Sequence, residues 1–196
     1  MAPLIVLYPY APVFWAIFAW ASLPEWRLLR RARPSGGVGP QDAGSMRVIV
    51  AGMELALLLA FPLAFLAPAA TLTRHRHALF WAGDVLIVLG SLLRRHCFRM
   101  LGDSFTGAVR VLPEQAVIER GAYRYARHPS YTAGMLMYVG FGLALTNWLS
   151  LLVLVLASTI VYSYRVSVEE RALVATLGER YVAYVRRTKR FVPFVF

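Results

Sequence analysis

Five apolar stretches constrain this chain more than anything else in it. Residues 3–24, 46–70, 78–93, 130–145 and 149–165 are each apolar over a length that crosses a bilayer, or nearly so. As helices rising 1.5 Å per residue, the last two reach about 24–26 Å, close to the hydrocarbon thickness with some tilt or thinning. Backbone inside lipid must satisfy its own polar groups, and an uninterrupted apolar run does that as a helix. The expected fold class is therefore all-α: a polytopic membrane protein with about five transmembrane helices and a C-terminal helical hairpin. The bulk composition agrees, since 59% of residues are hydrophobic, above the roughly 45–50% of soluble domains.

The connections carry the remaining signals. Arginines follow the first stretch directly (Arg27, Arg30, Arg31, Arg33) and no basic segment precedes it. That favours a retained span over a secretory signal, despite the small residues of Ala19-Trp20-Ala21. Residues 34–45 read as a flexible loop by their glycine, proline and serine content. Thr71 to His77 form a short loop. Residues 94–128 are mixed and polar, punctuated by Gly102, Gly107, Pro113 and Gly121, and are expected to be partly ordered outside the membrane. The hairpin turns at Thr146-Asn147-Trp148, and residues 166–196 form an amphipathic, basic tail. The chain divides into residues 1–99, with the first three spans, and residues 100–196, with the hairpin 130–165 and the tail.

The charges fix an orientation. Of 21 Lys and Arg residues, 19 lie on one side of the predicted bilayer and only Arg74 and Arg76 on the other. By the positive-inside rule the N-terminus is outside and the C-terminus cytosolic. The net charge of +11 is thus a topology and lipid-headgroup signature, and nucleic acid is not an expected partner. Cys97 is the single cysteine and the four histidines are scattered. No disulfide, zinc spacing or other metal site is expected.

That topology brings two motifs together. Gly121-Ala-Tyr-Arg-Tyr-Ala-Arg-His-Pro-Ser-Tyr131 is a basic, aromatic approach to a helix start, with Pro129 suited to the first turn. Glu169-Glu170 follows the second arm of the hairpin. Out and back across the bilayer, His128 and Glu169 end at the same cytosolic surface. On the returning helix Tyr162, Arg165 and Glu169 share a face, where Arg165 and Glu169 could simply pair with each other. An Arg closing an apolar run lies at the interface, where ionisable groups are functional candidates. His128 could equally be a plain capping residue, and Tyr123, Tyr125 and Tyr131 interfacial aromatics. Two acids lie within spans, Glu54 and Asp84. They are expected to line a cavity or to hydrogen-bond between helices.

These residues, the small-residue hairpin between them, and the tail Leu177-Gly-Glu-Arg-Tyr…Tyr184…Arg190-Phe-Val-Pro-Phe resemble the isoprenylcysteine carboxyl methyltransferase family, within the wider group of membrane phospholipid methyltransferases. The resemblance covers about residues 100–194, and the first three spans carry no matching motif. It implies an integral-membrane methyltransferase that uses S-adenosylmethionine without a Rossmann fold, in keeping with the lack of a G-x-G-x-x-G. It makes 100–196 the catalytic region, with the cofactor site on the cytosolic side. Cofactor-binding residues carried over by position are Gln115, Ala116, Val117 and Ile118, then Tyr123, then His128, Pro129, Ser130 and Tyr131, then Glu169 with Glu170. Arg165 corresponds to the family's residue for the methyl acceptor, and with Glu169 forms the implied catalytic pair. At Gln115 the family often has His or Arg, so only the backbone role carries over directly.

The implied chemistry suits these residue types. A helix start at Pro129 suits the carboxylate of S-adenosylmethionine, and Glu169 or Glu170 can accept from its ammonium or ribose hydroxyls. The acceptor would be lipophilic and arrive from the bilayer, with membrane lipids around it. An acceptor carboxylate is already ionised at pH 7 and needs no base; a phenol, amine or thiol would need one, with Tyr123 or His128 nearest. Two other readings stay open on residues alone: a sterol-type membrane reductase taking a nicotinamide dinucleotide, and a non-catalytic scaffold whose charges serve topology. The charge rule fits a bacterial inner membrane or the endoplasmic reticulum, and the short, Ala- and Arg-rich chain leans to the former. The acceptor and the oligomeric state are not legible from the sequence.

Overall fold

The structure is a computed structural model that describes residues 1–31, 40–102 and 108–191. Among these residues it is all-helical, with six α-helices and no strands: α1 (Tyr10–Arg31), α2 (Ser45–Leu66), α3 (Arg76–Leu101), α4 (Pro129–Ala144), α5 (Trp148–Leu177) and α6 (Glu179–Arg187). By length and composition α2, α3 and α5 can each cross a membrane; the apolar part of α1 (Tyr10–Leu23) and α4 are shorter. Their outer faces carry exposed leucine and isoleucine, such as Leu58 at 71%, Leu66 at 79% and Ile160 at 66%. Apolar surface on that scale fits a lipid environment rather than water. The chain is an integral, multi-pass membrane protein.

Lipid supplies no hydrophobic drive between helices, so close packing must hold them. Small residues provide it between α3 and α4. A Cβ on Gly83 would lie 2.6 Å from the Gly140 carbonyl oxygen, and one on Gly140 would lie 2.7 Å from the Gly83 carbonyl oxygen. The two backbones therefore touch directly. On the other side of α5, a Cβ on Gly52 of α2 would meet Val161 at 2.8 Å. The apolar centre is filled by Phe14, Phe80, Ile87, Phe141 and Leu154, all buried.

The hairpin turn follows the expected sequence and adds a tether. Asn147 caps α5, its side-chain oxygen accepting from the Leu149 and Ser150 N–H groups at 3.1 Å. Its amide nitrogen donates to the Ala67 carbonyl at 3.0 Å. Ser150 donates to the Ala60 carbonyl at 2.6 Å, inside the protein. The α4–α5 turn is thus fastened to the end of α2.

Three expectations are corrected. First, α3 does not stop near residue 93 but continues to Leu101. The arginines that read as a loop are accommodated instead: Arg94 is buried and lies over the Phe98 ring at 4.8 Å, while Arg95 lies 4.1 Å over Trp20 and donates to its carbonyl. Second, α5 does not end near 165 but runs to Leu177, where Gly178 adopts φ +57 and lets the chain turn into α6. Thirty residues make a rod of about 45 Å, well beyond a hydrocarbon core of ~30 Å. The helix is therefore longer than the apolar layer is thick, and Glu169 and Glu170 lie in its C-terminal part, beyond the apolar run. Third, the loop at 34–45 is in part built: Pro40–Asp42 form a turn of 3₁₀ helix and Asp42 is completely buried. Residues 34–39 lie outside the described residues.

Candidate functional site

A cavity of about 140 Å³ lies at the end of the bundle where α4 starts and α5 passes beyond its apolar run. Several elements build its walls. The C-terminal part of α3 contributes Arg94 and Phe98, and the segment after it contributes Val109 and Val111. The start of α4 contributes Ser130 and Tyr131, preceded by His128, and α5 contributes Arg165, Glu169 and Leu173. Tyr181 and Tyr184 of α6 close one side, and Met46 and Ile49 of α2 reach in from another.

Of the residues expected at the cofactor, Gln115, Ala116, Val117, Ile118, Tyr123, His128, Ser130, Tyr131 and Glu169 all line this cavity, and so does Arg165. Pro129 and Glu170 do not. Pro129 is buried as the first residue of α4. Glu170 is engaged elsewhere: it accepts from Arg127 Nε at 2.9 Å and Arg190 Nη2 at 2.6 Å, and its Oε1 lies 3.2 Å from His128 Nε2. The Arg127 and His128 N–H groups also donate to the Lys189 and Arg190 carbonyls. Glu170 thus fastens the tail to the approach of α4, and is replaced by its neighbour at the cavity wall.

His128 occupies the capping position of α4 but makes no capping bond with its side chain. Its ring goes to Glu170 and stacks on Tyr131 at 5.8 Å between centroids. Gln115 spends its side-chain oxygen on the Leu112 N–H at 3.3 Å, its backbone N–H on the Leu112 carbonyl and its own carbonyl on Arg180. Tyr125, by contrast, is 51% exposed and stands away from the cavity.

The polar chemistry of the wall runs through four groups. Glu169 Oε2 accepts from the Tyr131 hydroxyl at 2.8 Å. The same hydroxyl oxygen accepts from Arg165 Nε at 3.2 Å. Arg165 Nη1 donates to Ser45 Oγ at 2.6 Å and closes an ion pair with Asp42. Arg165 and Glu169 therefore do not form the simple i, i+4 pair; Tyr131 stands between them. The Tyr123 hydroxyl is buried and makes no hydrogen bond of full geometry among the described residues, although the Ser130 side chain lies within interaction range. Burial pushes its phenol far above the ordinary range, so it stays protonated at neutral pH and can donate.

Sequence reasoning missed Asp42 and Arg94. Asp42 lies in a stretch that composition reads as loop, yet Asp42-x-x-Ser45 immediately precedes an apolar run, the pattern of a helix start. Its Oδ2 accepts from the Met46 N–H at 3.1 Å. Arg94 reads as the edge of a polar loop. Continuing the helical spacing of α3 by one turn would have put it beside the core. Glu54 and Asp84 do not line the cavity. Glu54 is exposed on α2, and both carboxylate oxygens of the buried Asp84 lack a partner among the described residues. The expectation of a cavity or interhelical role for this pair is not met.

Fold and site together define a class: a helical membrane protein holding a buried, charged cavity at one end of its bundle. Residues 84–175 match the model of the isoprenylcysteine carboxyl methyltransferase (ICMT) family, and the resemblance read from residues 121–131 and 169–170 is borne out over that region. The match begins in α3, earlier than the motifs suggested. The chain is 31% identical over 115 residues to protein-S-isoprenylcysteine O-methyltransferase B of Arabidopsis thaliana, covering 58% of each chain. It is 30% identical over 115 residues to protein-S-isoprenylcysteine O-methyltransferase of Saccharomyces cerevisiae, covering 58% of this chain and 48% of that one. The chain thus spans about half the length of these relatives. A solved structure of a eukaryotic intramembrane Ras methyltransferase ICMT superposes with a TM-score of 0.65 at 20% identity, over 97% of this chain and 70% of that one. At that identity the likeness speaks for the fold.

Proposed function

We propose that this protein is an S-adenosylmethionine-dependent membrane methyltransferase acting on a lipophilic acceptor that reaches the cavity from the bilayer. Its acceptor chemistry is most like that of the protein-S-isoprenylcysteine O-methyltransferases, namely carboxyl methylation. One observation carries the reading. A single cavity is lined by the residues on both sides of the hairpin that the family resemblance selects, and one of them, Tyr123, has a buried hydroxyl that makes no hydrogen bond of full geometry among the described residues.

The residues fit the cofactor. Tyr123, Tyr181, Tyr184 and Phe98 offer aromatic wall for a nucleoside, and the start of α4 offers the positive end of a helix to a carboxylate. Glu169 keeps Oε2 on Tyr131 and has Oε1 to offer an ammonium or a ribose hydroxyl. The Tyr123 hydroxyl is a donor held at the wall. S-adenosylmethionine, when bound, supplies an electrophilic methyl group on a sulfonium. The protein's part is to place the acceptor atom in line and to keep water out, which can account for much of such a rate enhancement. Arg165 orients an anionic acceptor, which needs no base when it is a carboxylate. Residues 100–196 supply most of this machinery, with α2 and α3 contributing from the first half of the chain. The charge asymmetry supports a cytosolic cofactor side and an external N-terminus across five spans. The Ala- and Arg-rich composition leans toward a bacterial inner membrane.

Calorimetric titration of the detergent-purified protein tests this. Wild type is expected to bind S-adenosylmethionine and its demethylated product. Glu169→Ala and His128→Ala should each weaken binding about tenfold or more, the scale of removing one charge-assisted hydrogen bond. Binding of a nicotinamide dinucleotide in place of S-adenosylmethionine would overturn the proposal. So would folded protein that binds neither, which is the scaffold outcome.

A further inference from the structure

We infer that Asp42 is a positioning residue for the reaction: its carboxylate fixes the Arg165 guanidinium at the acceptor end of the cavity and holds the 109–111 segment beside it. The inference rests on the proposed role of Arg165 toward the acceptor. Asp42 is wholly buried and does not itself line the cavity. Four groups converge on it. Oδ1 takes the Arg165 ion pair, the Ser45 hydroxyl at 3.1 Å and the Val109 N–H at 2.8 Å; Oδ2 takes the Met46 N–H at 3.1 Å. Its neighbour Gln41 accepts from the Val111 N–H at 2.9 Å. Arg165, Val109, Val111 and Met46 all line the cavity, so one carboxylate ties three walls of it together.

A capping role alone would not require this residue. The capping position of α2 is Gly44, and only the Met46 contact of Asp42 serves a helix N–H, which Ser or Asn could also do. What needs negative charge is Arg165, itself 3% exposed; Glu169 reaches it through Tyr131, whereas Asp42 pairs with it directly. A buried guanidinium without a countercharge is strongly unfavourable, and a long side chain held at one contact samples many rotamers. Held by Asp42 and Ser45 on Nη1 and by Tyr131 on Nε, the guanidinium has a defined plane. The first interspan connection, which contains no residue of the family match, thereby sets the geometry of the acceptor end.

The test uses full-length protein in detergent with N-acetyl-S-farnesyl-L-cysteine as the acceptor probe. Asp42→Asn keeps the shape and removes the charge. It is expected to bind S-adenosylmethionine within about twofold of wild type while kcat/KM for the probe falls about tenfold or more. Added to Arg165→Gln, it should cause no more than about twofold further loss, because both substitutions act on one group. Asp42→Glu keeps the charge and moves it by a methylene, and should fall between wild type and Asn. If Asp42→Asn does not fold, Asp42→Glu decides: an intermediate loss supports the inference and wild-type turnover overturns it. Unchanged kcat/KM in Asp42→Asn overturns it, as do parallel losses of cofactor binding and turnover, or multiplicative losses in the double variant. Wild type that binds no S-adenosylmethionine, or binds it but leaves the probe unmethylated, marks failure of the proposed function itself, and the inference falls with it.

Discussion

The two ends of α5 are held by polar networks of opposite kind. At its start, Asn147 and Ser150 use neutral side chains on backbone carbonyls and N–H groups of α5 and α2. At its far end, Arg165, Glu169 and Glu170 meet Asp42, Tyr131, Arg127 and Arg190 through charge. The first network lies away from the cavity; the second surrounds it and leaves the Tyr123 hydroxyl without a hydrogen bond of full geometry among the described residues. Neutral hydrogen bonds fasten helices at small desolvation cost. Buried charges are a poor way to gain stability, and their clustering around a cavity points to ligand binding. The charged end is itself divided, since Glu169 faces the cavity and Glu170 fastens the tail.

The largest expected effect breaks that division if it fails. Glu170→Ala removes the carboxylate shared by Arg127, 9% exposed, and Arg190, 40% exposed, leaving Arg127 only the Val185 and Thr188 carbonyls among the described residues. It should lower stability by about 3 kcal/mol, at the low end for a broken buried pair because Arg190 is partly solvated. Chemical denaturation in detergent reads this, and a loss as small as that of a surface pair would deny that Glu170 fastens the tail. Next, Asn147→Ala removes the α5 cap and the tether to α2, for about 1–2 kcal/mol. S-adenosylmethionine affinity should stay within about twofold; a larger change in calorimetry would mean that the two ends are coupled.

Tyr123→Phe sharpens the contrast by its sign. Deleting a buried hydroxyl without such a bond should raise thermal stability, by up to about 1 kcal/mol, while S-adenosylmethionine affinity falls several-fold. A destabilised variant with intact affinity would place that hydroxyl in the structural class. The smallest effect concerns pH. Burial alone would raise the Asp42 carboxyl, but hydrogen bonds from the Val109 and Met46 N–H groups and the Arg165 charge outweigh it and hold it below its ordinary value. A group depressed in the folded state stabilises fully above its unfolded pKa, and that share is lost as pH falls through the folded one. Between about pH 5 and 3, wild type should lose melting temperature faster than Asp42→Asn does; parallel curves would deny the ionised pair.

The hairpin and its turn were legible because every signal for them is local. Apolar length, Pro129 at a helix start and Asn147 at a turn act within a few residues of themselves, and α4 and α5 begin within a residue or two of the expected positions. Most of the residues expected at a cofactor site also line one cavity, and they lie on short motifs at the two ends of the hairpin. What the sequence did not disclose is where charges are sheltered. Composition reads Arg94 and Asp42 as loop, yet Arg94 continues α3 over Phe98 and Asp42 is buried against Arg165. Whether a charged residue ends a helix or extends it depends on finding a partner, and for Asp42 that partner comes from another element far along the chain. Glu169 and Glu170 show the same limit at the finest scale. Adjacent and chemically alike in sequence, they differ only because successive residues on a helix point about 100° apart, one toward Tyr131 and the cavity, the other toward Arg127, His128 and Arg190.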